Sequence, residues 1–145
     1  MSTVNKILRK KGSEIHSVHP DQTVYDALKV LADKDIGAIL VMDESGMQGI
    51  FSERDYARKV TLKGLFSKDI PVKDVMTKEV ITVGPDTPIF ECMTIMTENK
   101  IRHLPVVEDG MLVGLVSIGD VVNYVINSQS ETIESMQMYI SGLAY

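Results

Sequence analysis

The chain has 145 residues and 44% of them are hydrophobic, with 24% charged and no tryptophan. That is globular composition, and a chain of this length buries roughly 68–70% of its unfolded surface without staples. A formal charge of −5 argues against duplex nucleic acid and anionic membranes, and one Cys with three His excludes both an intramolecular disulfide and a zinc site of ordinary spacing.

No apolar stretch reaches 18 residues; the longest runs are strand-sized, such as Ala38 to Met42. The start, MSTVNKILRKKGSEI, is basic but lacks the apolar centre of a signal peptide. The expectation is a soluble cytoplasmic protein. Residues 1–13 read as a lead-in. A strand-like run follows at Ile15 to Val18, closed by Pro20-Asp21. Val24, Ala27, Leu28 and Leu31 then fall at i, i+3, i+4 and i+7, one apolar helical stripe. Two strands come next, Gly37 to Met42 and Gln48 to Phe51, joined by a turn containing Gly46. A second helix starts near Ser52. Residues 61–78 read as a linker broken at Pro71.

The order then repeats. A run at Val80 to Val83 precedes a helix with Ile89, Cys92, Met93 and Met96 on one stripe, where Thr87 suits the N-cap and Pro88 the first turn. Strands at His103 to Val107 and Leu112 to Val116 lead into a helix near Ser117. Shifted by 65 residues, 14–60 aligns with 79–125 without a gap, and ten positions are identical, among them Pro20/Pro85, Gly49/Gly114, Ser52/Ser117 and Asp55/Asp120. The pattern is a duplication: an α/β (α+β) fold of two β-α-β-β-α repeats about a pseudo-twofold axis, sheets face to face and sharing one core. The repeats span 4–62 and 72–127, and 128–145 is a tail. In the tail Ile133, Met136 and Ile140 form a stripe that needs a partner surface, and Gly142 suits a stop.

The segments that close each copy carry the chemistry: Gly49-Ile-Phe-Ser52-Glu-Arg-Asp55 and Gly114-Leu-Val-Ser117-Ile-Gly-Asp120. Ser at an N-cap with Asp three residues on is close to a capping box. The same geometry offers N–H groups to an anion, a Gly where a ligand approaches the backbone, and a carboxylate for a vicinal diol. Duplication copies a cap as readily as a site, so repetition alone does not choose between these readings.

The motif G-hydrophobic-x-S-x-x-D in each copy resembles the nucleotide-binding signature of the cystathionine-β-synthase (CBS) domain, as do V-x-P-D before the first helix and Ile101-Arg-His-Leu-Pro-Val-Val107. Two copies over residues 4–127 resemble the tandem pair called a Bateman module. The resemblance implies a regulatory module without chemistry of its own. It implies an adenosine-containing ligand, AMP foremost, with ADP, ATP, NAD or S-adenosylmethionine as alternatives, bound in clefts between the repeats. It also implies a homodimer and an effector protein that reads a conformational change. By the same resemblance Asp55 and Asp120 hold the ribose, and Ser52 and Ser117 lie near ribose and phosphate. Arg102 and His103 face phosphate, while Thr82 and Val83, with Ser17 and Val18 in copy one, line the adenine pocket. Arg54 and Arg58 reach a phosphate, and Lys68 adds charge from the linker. Arg102 and His103 also fit an exposed strand end, and Arg54 and Arg58 a solvated helix face. Copy one has Gly37-Ala38 where copy two has Arg102-His103, so the clefts differ chemically. No Walker loop, nucleophile elbow or HExxH is present; a hydrolase using Asp55 or Asp120 as base is a poor alternative. A dimeric interaction protein with vestigial clefts is the other reading.

Overall fold

The computed structural model describes the backbone of residues 2–141 and the side chains of residues 2–129. The elements run α1 (Val4–Lys11), β1 (Ser17–Val18), α2 (Val24–Lys34), β2 (Ala38–Asp43), β3 (Gly46–Ser52), α3 (Glu53–Asp55), a π-helix (Tyr56–Thr61), a 3-10 turn (Val72–Asp74), α4 (Ile89–Asn99), β4 (His103–Glu108), β5 (Met111–Ser117) and α5 (Ile118–Ser141). Helix α5 carries straight on from the second repeat into the expected tail. The stripe at Ile133, Met136 and Ile140 falls outside the described side chains, and Gly142 outside the described backbone.

The first repeat builds a three-stranded sheet in the order β1-β2-β3, the second a two-stranded sheet of β4 and β5. Their hairpins are equivalent: Leu40 pairs with Ile50 and Pro105 with Leu115, each with a register shift one residue further along. The expected strand at Val80 to Val83 shrinks to one parallel bridge between Val83 and Val106. Proline supplies the reason. In repeat one the Leu40 N–H donates to the His16 carbonyl (3.4 Å) and helps hold β1. The equivalent residue of repeat two, Pro105, has no N–H to give, so the ladder stops.

Burial follows strand alternation. Ile39, Val41 and Phe51 turn inward onto Val24, Ala27 and Leu31 of α2, and Leu104, Val106 and Val116 onto Ile89, Cys92 and Met96 of α4. Each repeat thus has its own cluster of buried side chains, in place of the single shared core. The other faces of the sheets turn toward one another. Ala38 and Leu40 are buried there, and the backbone at Gly37 lies beside the His103 ring, the Cβ position being 3.4 Å from Cε1.

Each repeat is completed by the lead-in of the other. Helix α1, preceding repeat one in sequence, buries Val4, Ile7 and Leu8 in the core of repeat two. The linker buries Val72 and Val75 in the core of repeat one. The backbone shows the same exchange: Val4 N–H donates to Thr87 O (2.9 Å) and Ile89 N–H to Ser2 O (3.0 Å), while Val24 N–H donates to Ile70 O (2.9 Å) and Val72 N–H to Gln22 O (2.8 Å). Because Ser2 takes the first free N–H of α4, that helix needs no side-chain cap. Pro88 is the N-cap residue, and Thr87 Oγ1 instead accepts from Gly84 N–H (3.0 Å). Helix α2, by contrast, has a full capping box of Thr23 and Asp26.

Candidate functional site

The segment after β3 starts as the sequence reading expects and then departs from it. Ser52 is an N-cap, its hydroxyl accepting from Asp55 N–H (3.2 Å) while Asp55 Oδ2 accepts from Ser52 N–H (3.0 Å). After one α turn the chain widens into the π-helix, which seats Val60 in the core and brings Lys59 Nζ to 3.0 Å from Asp55 Oδ1. Asp55 also accepts from Thr77 Oγ1 of the linker at 3.2 Å. The carboxylate is buried and enclosed by donors.

The glycines of the motif serve packing. A Cβ at Gly49 would stand 2.7 Å from both Met76 Sδ and Thr77 O, and one at Gly114 would stand 2.7 Å from Leu8 Cδ2. These positions admit the exchanged lead-in segments where the sequence reading gave them to a ligand.

Between the repeats opens a cavity of about 470 Å³, within the ordinary range of ligand pockets. Gly37, Ala38, Ile50 and Ser52 to Asp55 line it from repeat one, Thr77 from the end of the linker, and Glu79 to Ile81 and Lys100 to His103 from repeat two. Of the residues named from sequence, the fold gathers Ser52, Arg54, Asp55, Arg102 and His103 here. Arg54 Nη1 donates to the Lys100 carbonyl, a hydrogen bond from one repeat to the other. Glu53, Asp55 and Glu79 balance Arg54, Lys100 and Arg102, so the walls carry both signs.

The remaining expectations lie elsewhere. Arg58 is exposed on the π-helix, outside the cavity lining. Lys68 stands over the Tyr25 ring, 4.8 Å from its centroid, and not at the cleft. Val18 and Val83 are buried in the cores of their own repeats, where they pack against neighbouring strands; Ser17 and Thr82 are exposed. Ser117 and Asp120 sit at the pseudo-symmetric position across the molecule. There Ser117 N–H donates to Asp120 Oδ2 (2.8 Å) and Ser117 Oγ accepts from Asp120 N–H (3.1 Å). Lys11, from the end of α1, donates to Asp120 Oδ2 (2.7 Å) and to Leu115 O (2.9 Å). His103 lies between the two sides. Burial holds its pKa below the usual value, against the pull of Asp120 and with the push of Lys11 and Arg102.

Sequence reasoning missed Thr77, Lys59 and Lys11. Thr77 and Lys11 lie in segments taken for linker and lead-in, and only the crossed packing brings them to the aspartates. Lys59, at i+4 from Asp55 in a helical stretch, was legible from spacing. Among the described residues no group of three or more His, Cys, Asp and Glu side chains is placed to hold a metal ion.

The model of the CBS domain matches residues 4–61 and again 72–127. The chain belongs to the CBS-domain family. It is similar to the mitochondrial CBS domain-containing protein CBSX3 of Arabidopsis thaliana, with 38% identity covering 97% of this chain and 73% of that protein. Among solved structures, it resembles a putative signal-transduction protein with CBS domains from Burkholderia ambifaria MC40-6. The TM-score is 0.85 at 47% identity, covering 88% of this chain and 96% of that one. It is also similar to the CBS domain pair of protein MJ0100 in complex with 5′-methylthioadenosine and S-adenosyl-L-methionine, with TM-score 0.77 at 25% identity, covering 88% and 98% of the two chains. Among the described residues of this CBS pair, no helix is long and apolar enough to cross a membrane.

Proposed function

We propose that this CBS pair is a cytoplasmic regulatory module that binds an adenosine-containing ligand between its repeats and passes the occupied state to an effector protein. The observation that carries the reading is the cavity between the repeats. A nucleotide presents hydroxyl and amino donors together with an anionic phosphate, and walls that mix carboxylates with Arg54, Lys100 and Arg102 suit such a ligand. The MJ0100 pair, described in complex with two adenosine derivatives, supports the same ligand class. AMP is the first candidate, before ADP, ATP and NAD. A homodimer belongs to the proposal: Phe90 at the start of α4 is 77% exposed, and Val122 and Ile126, one turn apart on α5, are 43% and 53% exposed.

The test is thermal unfolding against AMP, ADP, ATP, NAD and S-adenosylmethionine, repeated in Arg102→Ala. A ligand at 100 times its Kd stabilises by about 2.7 kcal/mol, which is several degrees in a chain of this size. A shift with at least one ligand, weakened in Arg102→Ala, supports the reading. A folded protein that none of the five shifts refutes it and leaves an interaction module with vestigial clefts.

A further inference from the structure

The turn that leaves the π-helix holds its apolar side chains in water. Leu62 is 79% exposed, Leu65 46% and Phe66 75%. Tyr25 of α2, 38% exposed, adjoins them, since its N–H donates to the Ser67 carbonyl (2.9 Å). The backbone of the turn is fixed all the same. Leu62 N–H donates to Ala57 O (3.0 Å), Gly64 N–H to Thr61 O (3.1 Å) and Leu65 N–H to Val60 O (3.0 Å). Gly64, at φ +68°, supplies a reversal that an L side chain resists. The repeat architecture does not call for this patch. At the equivalent point of repeat two the chain runs on as α5, with Asn127 and Ser128 where repeat one has Leu62 and Lys63. Apolar groups gathered on a set backbone and rimmed by charge mark an interaction surface.

The charge around the turn says what fits it. From Tyr56 to Lys68 the chain holds Arg58, Lys59, Lys63 and Lys68 and no Asp or Glu, in a protein whose formal charge is −5. Lys59 is engaged by Asp55. Lys68 and Lys29 stand over the Tyr25 ring, 4.8 and 5.4 Å from its centroid. Among the described residues none of Lys29, Arg58, Lys63 and Lys68 has a carboxylate partner. The counterparts of Lys29 and Arg58 in repeat two are Thr94 and Asn123, so the basic rim, like the turn, belongs to repeat one alone. An acidic partner meets unpaired cations here. A second copy in a twofold pair would set these lysines against their own copies. An anionic bilayer would meet the negative charge of the rest of the molecule.

The patch is also tied to the cavity. Arg54 and Asp55 line the cavity just before the π-helix, and Thr77 lines it at the end of the linker. Lys59, within the π-helix, donates to Asp55 Oδ1 (3.0 Å) and to Val75 O (3.2 Å). A change in the cavity wall therefore reaches both ends of the segment that carries the turn.

We propose that the turn from Leu62 to Phe66 with Tyr25, rimmed by Lys63 and Lys68, is the docking surface for an acidic segment of the effector protein, one whose carboxylates flank apolar side chains. The assignment rests on the effector reading and adds the chemistry of the partner.

The experiment measures binding of three fluorescent peptide pools to the whole chain without nucleotide: one randomised over Glu, Leu and Phe, one over Lys, Leu and Phe, and one over Glu and Ser. Wild type is expected to bind the first pool about tenfold or more tighter than either other, and less tightly as salt rises. Leu62→Ser with Phe66→Ser loses that preference, and Lys63→Glu with Lys68→Glu turns it toward the pool containing Lys. All four side chains are exposed, so both variants keep the unfolding midpoint within about 2 °C of wild type. A larger fall shows that the turn serves folding and overturns the proposal. No preference in wild type, or a preference that survives either pair of substitutions, also overturns it. So does a wild-type dimer that Leu62→Ser with Phe66→Ser dissociates in sedimentation, which gives the patch to a second copy. Tighter binding to phosphatidylserine vesicles than to the first pool gives it to lipid, with the same consequence. Because no nucleotide is present, a thermal screen without a shift fells the ligand reading and leaves this surface standing, and failure of the peptide measurement does the reverse.

Discussion

Replacing Gly49 by Ala tests the exchanged packing at its tightest point. The new Cβ would stand 2.7 Å from Met76 Sδ and 2.7 Å from Thr77 O. Met76 can swing its thioether aside, but a backbone carbonyl in a two-way bridge cannot move alone. Overpacking costs about 1–3 kcal/mol, and loosening the two Ile50–Thr77 hydrogen bonds adds about 0.5–1.5 kcal/mol each. Restricting the unfolded chain returns about 0.4–1 kcal/mol. The net loss is about 1–5.5 kcal/mol, with a middle value of about 3 kcal/mol and a fall in Tm of roughly 10 °C. Gly114→Ala is the internal control, because the three atoms nearest the added methyl there are Cδ2, Cδ1 and Cγ of Leu8, a side chain and not a backbone carbonyl. It is expected to cost less than half as much. Urea and thermal unfolding of the ligand-free protein measure both variants. If Gly49 serves ligand approach and not Met76, Gly49→Ala leaves ligand-free stability unchanged; that result, or a greater loss in Gly114→Ala, refutes the reasoning.

Truncating Ile7, which is 4% exposed in the core of repeat two, should cost about 2–5 kcal/mol, with hydrogen exchange rising first in β4 and β5; a loss under about 1 kcal/mol would show that α1 is dispensable to that core. Because burial lowers the pKa of His103 in the folded state, its neutral form contributes stability that is present above the unfolded value near 6.5 and is lost as pH falls through the folded value. Thermal midpoints should therefore decline from pH 7 toward 5 less steeply in His103→Gln, and an imidazole NMR titration centred at or above 6.5 would contradict this. The Cys92 thiol is buried and its pKa is pushed up to about 11, by burial first and by the Glu91 carboxylate second. A thiol reagent at pH 8 should leave the native protein unlabelled and react once denaturant unfolds it; rapid labelling of the folded chain would show that α4 opens.

Much of this protein is legible in its sequence because the signals are local. The stripe of Val24, Ala27 and Leu31, its counterpart Ile89, Cys92 and Met96, and the paired strands ending at Ser52 and Ser117 follow from side-chain period. The 65-residue shift reveals the duplication, and the Ser-x-x-Asp pattern its two caps. What tertiary structure alone decided depends on chain segments that carry no periodic mark of where they go. That α1 completes repeat two and the linker repeat one is a matter of path through space. With it come the reason for Gly49 and Gly114 and the arrival of Thr77 and Lys11 at the two aspartates. Lys68 parts from the cleft for the same reason: from its turn it stands over the Tyr25 ring of α2. Pro105 stands between the two cases. It is plain in the sequence, but that it ends a ladder is apparent only once Val83 is seen beside Val106. Duplication copied the motif; the segments crossing over it made its two copies chemically different.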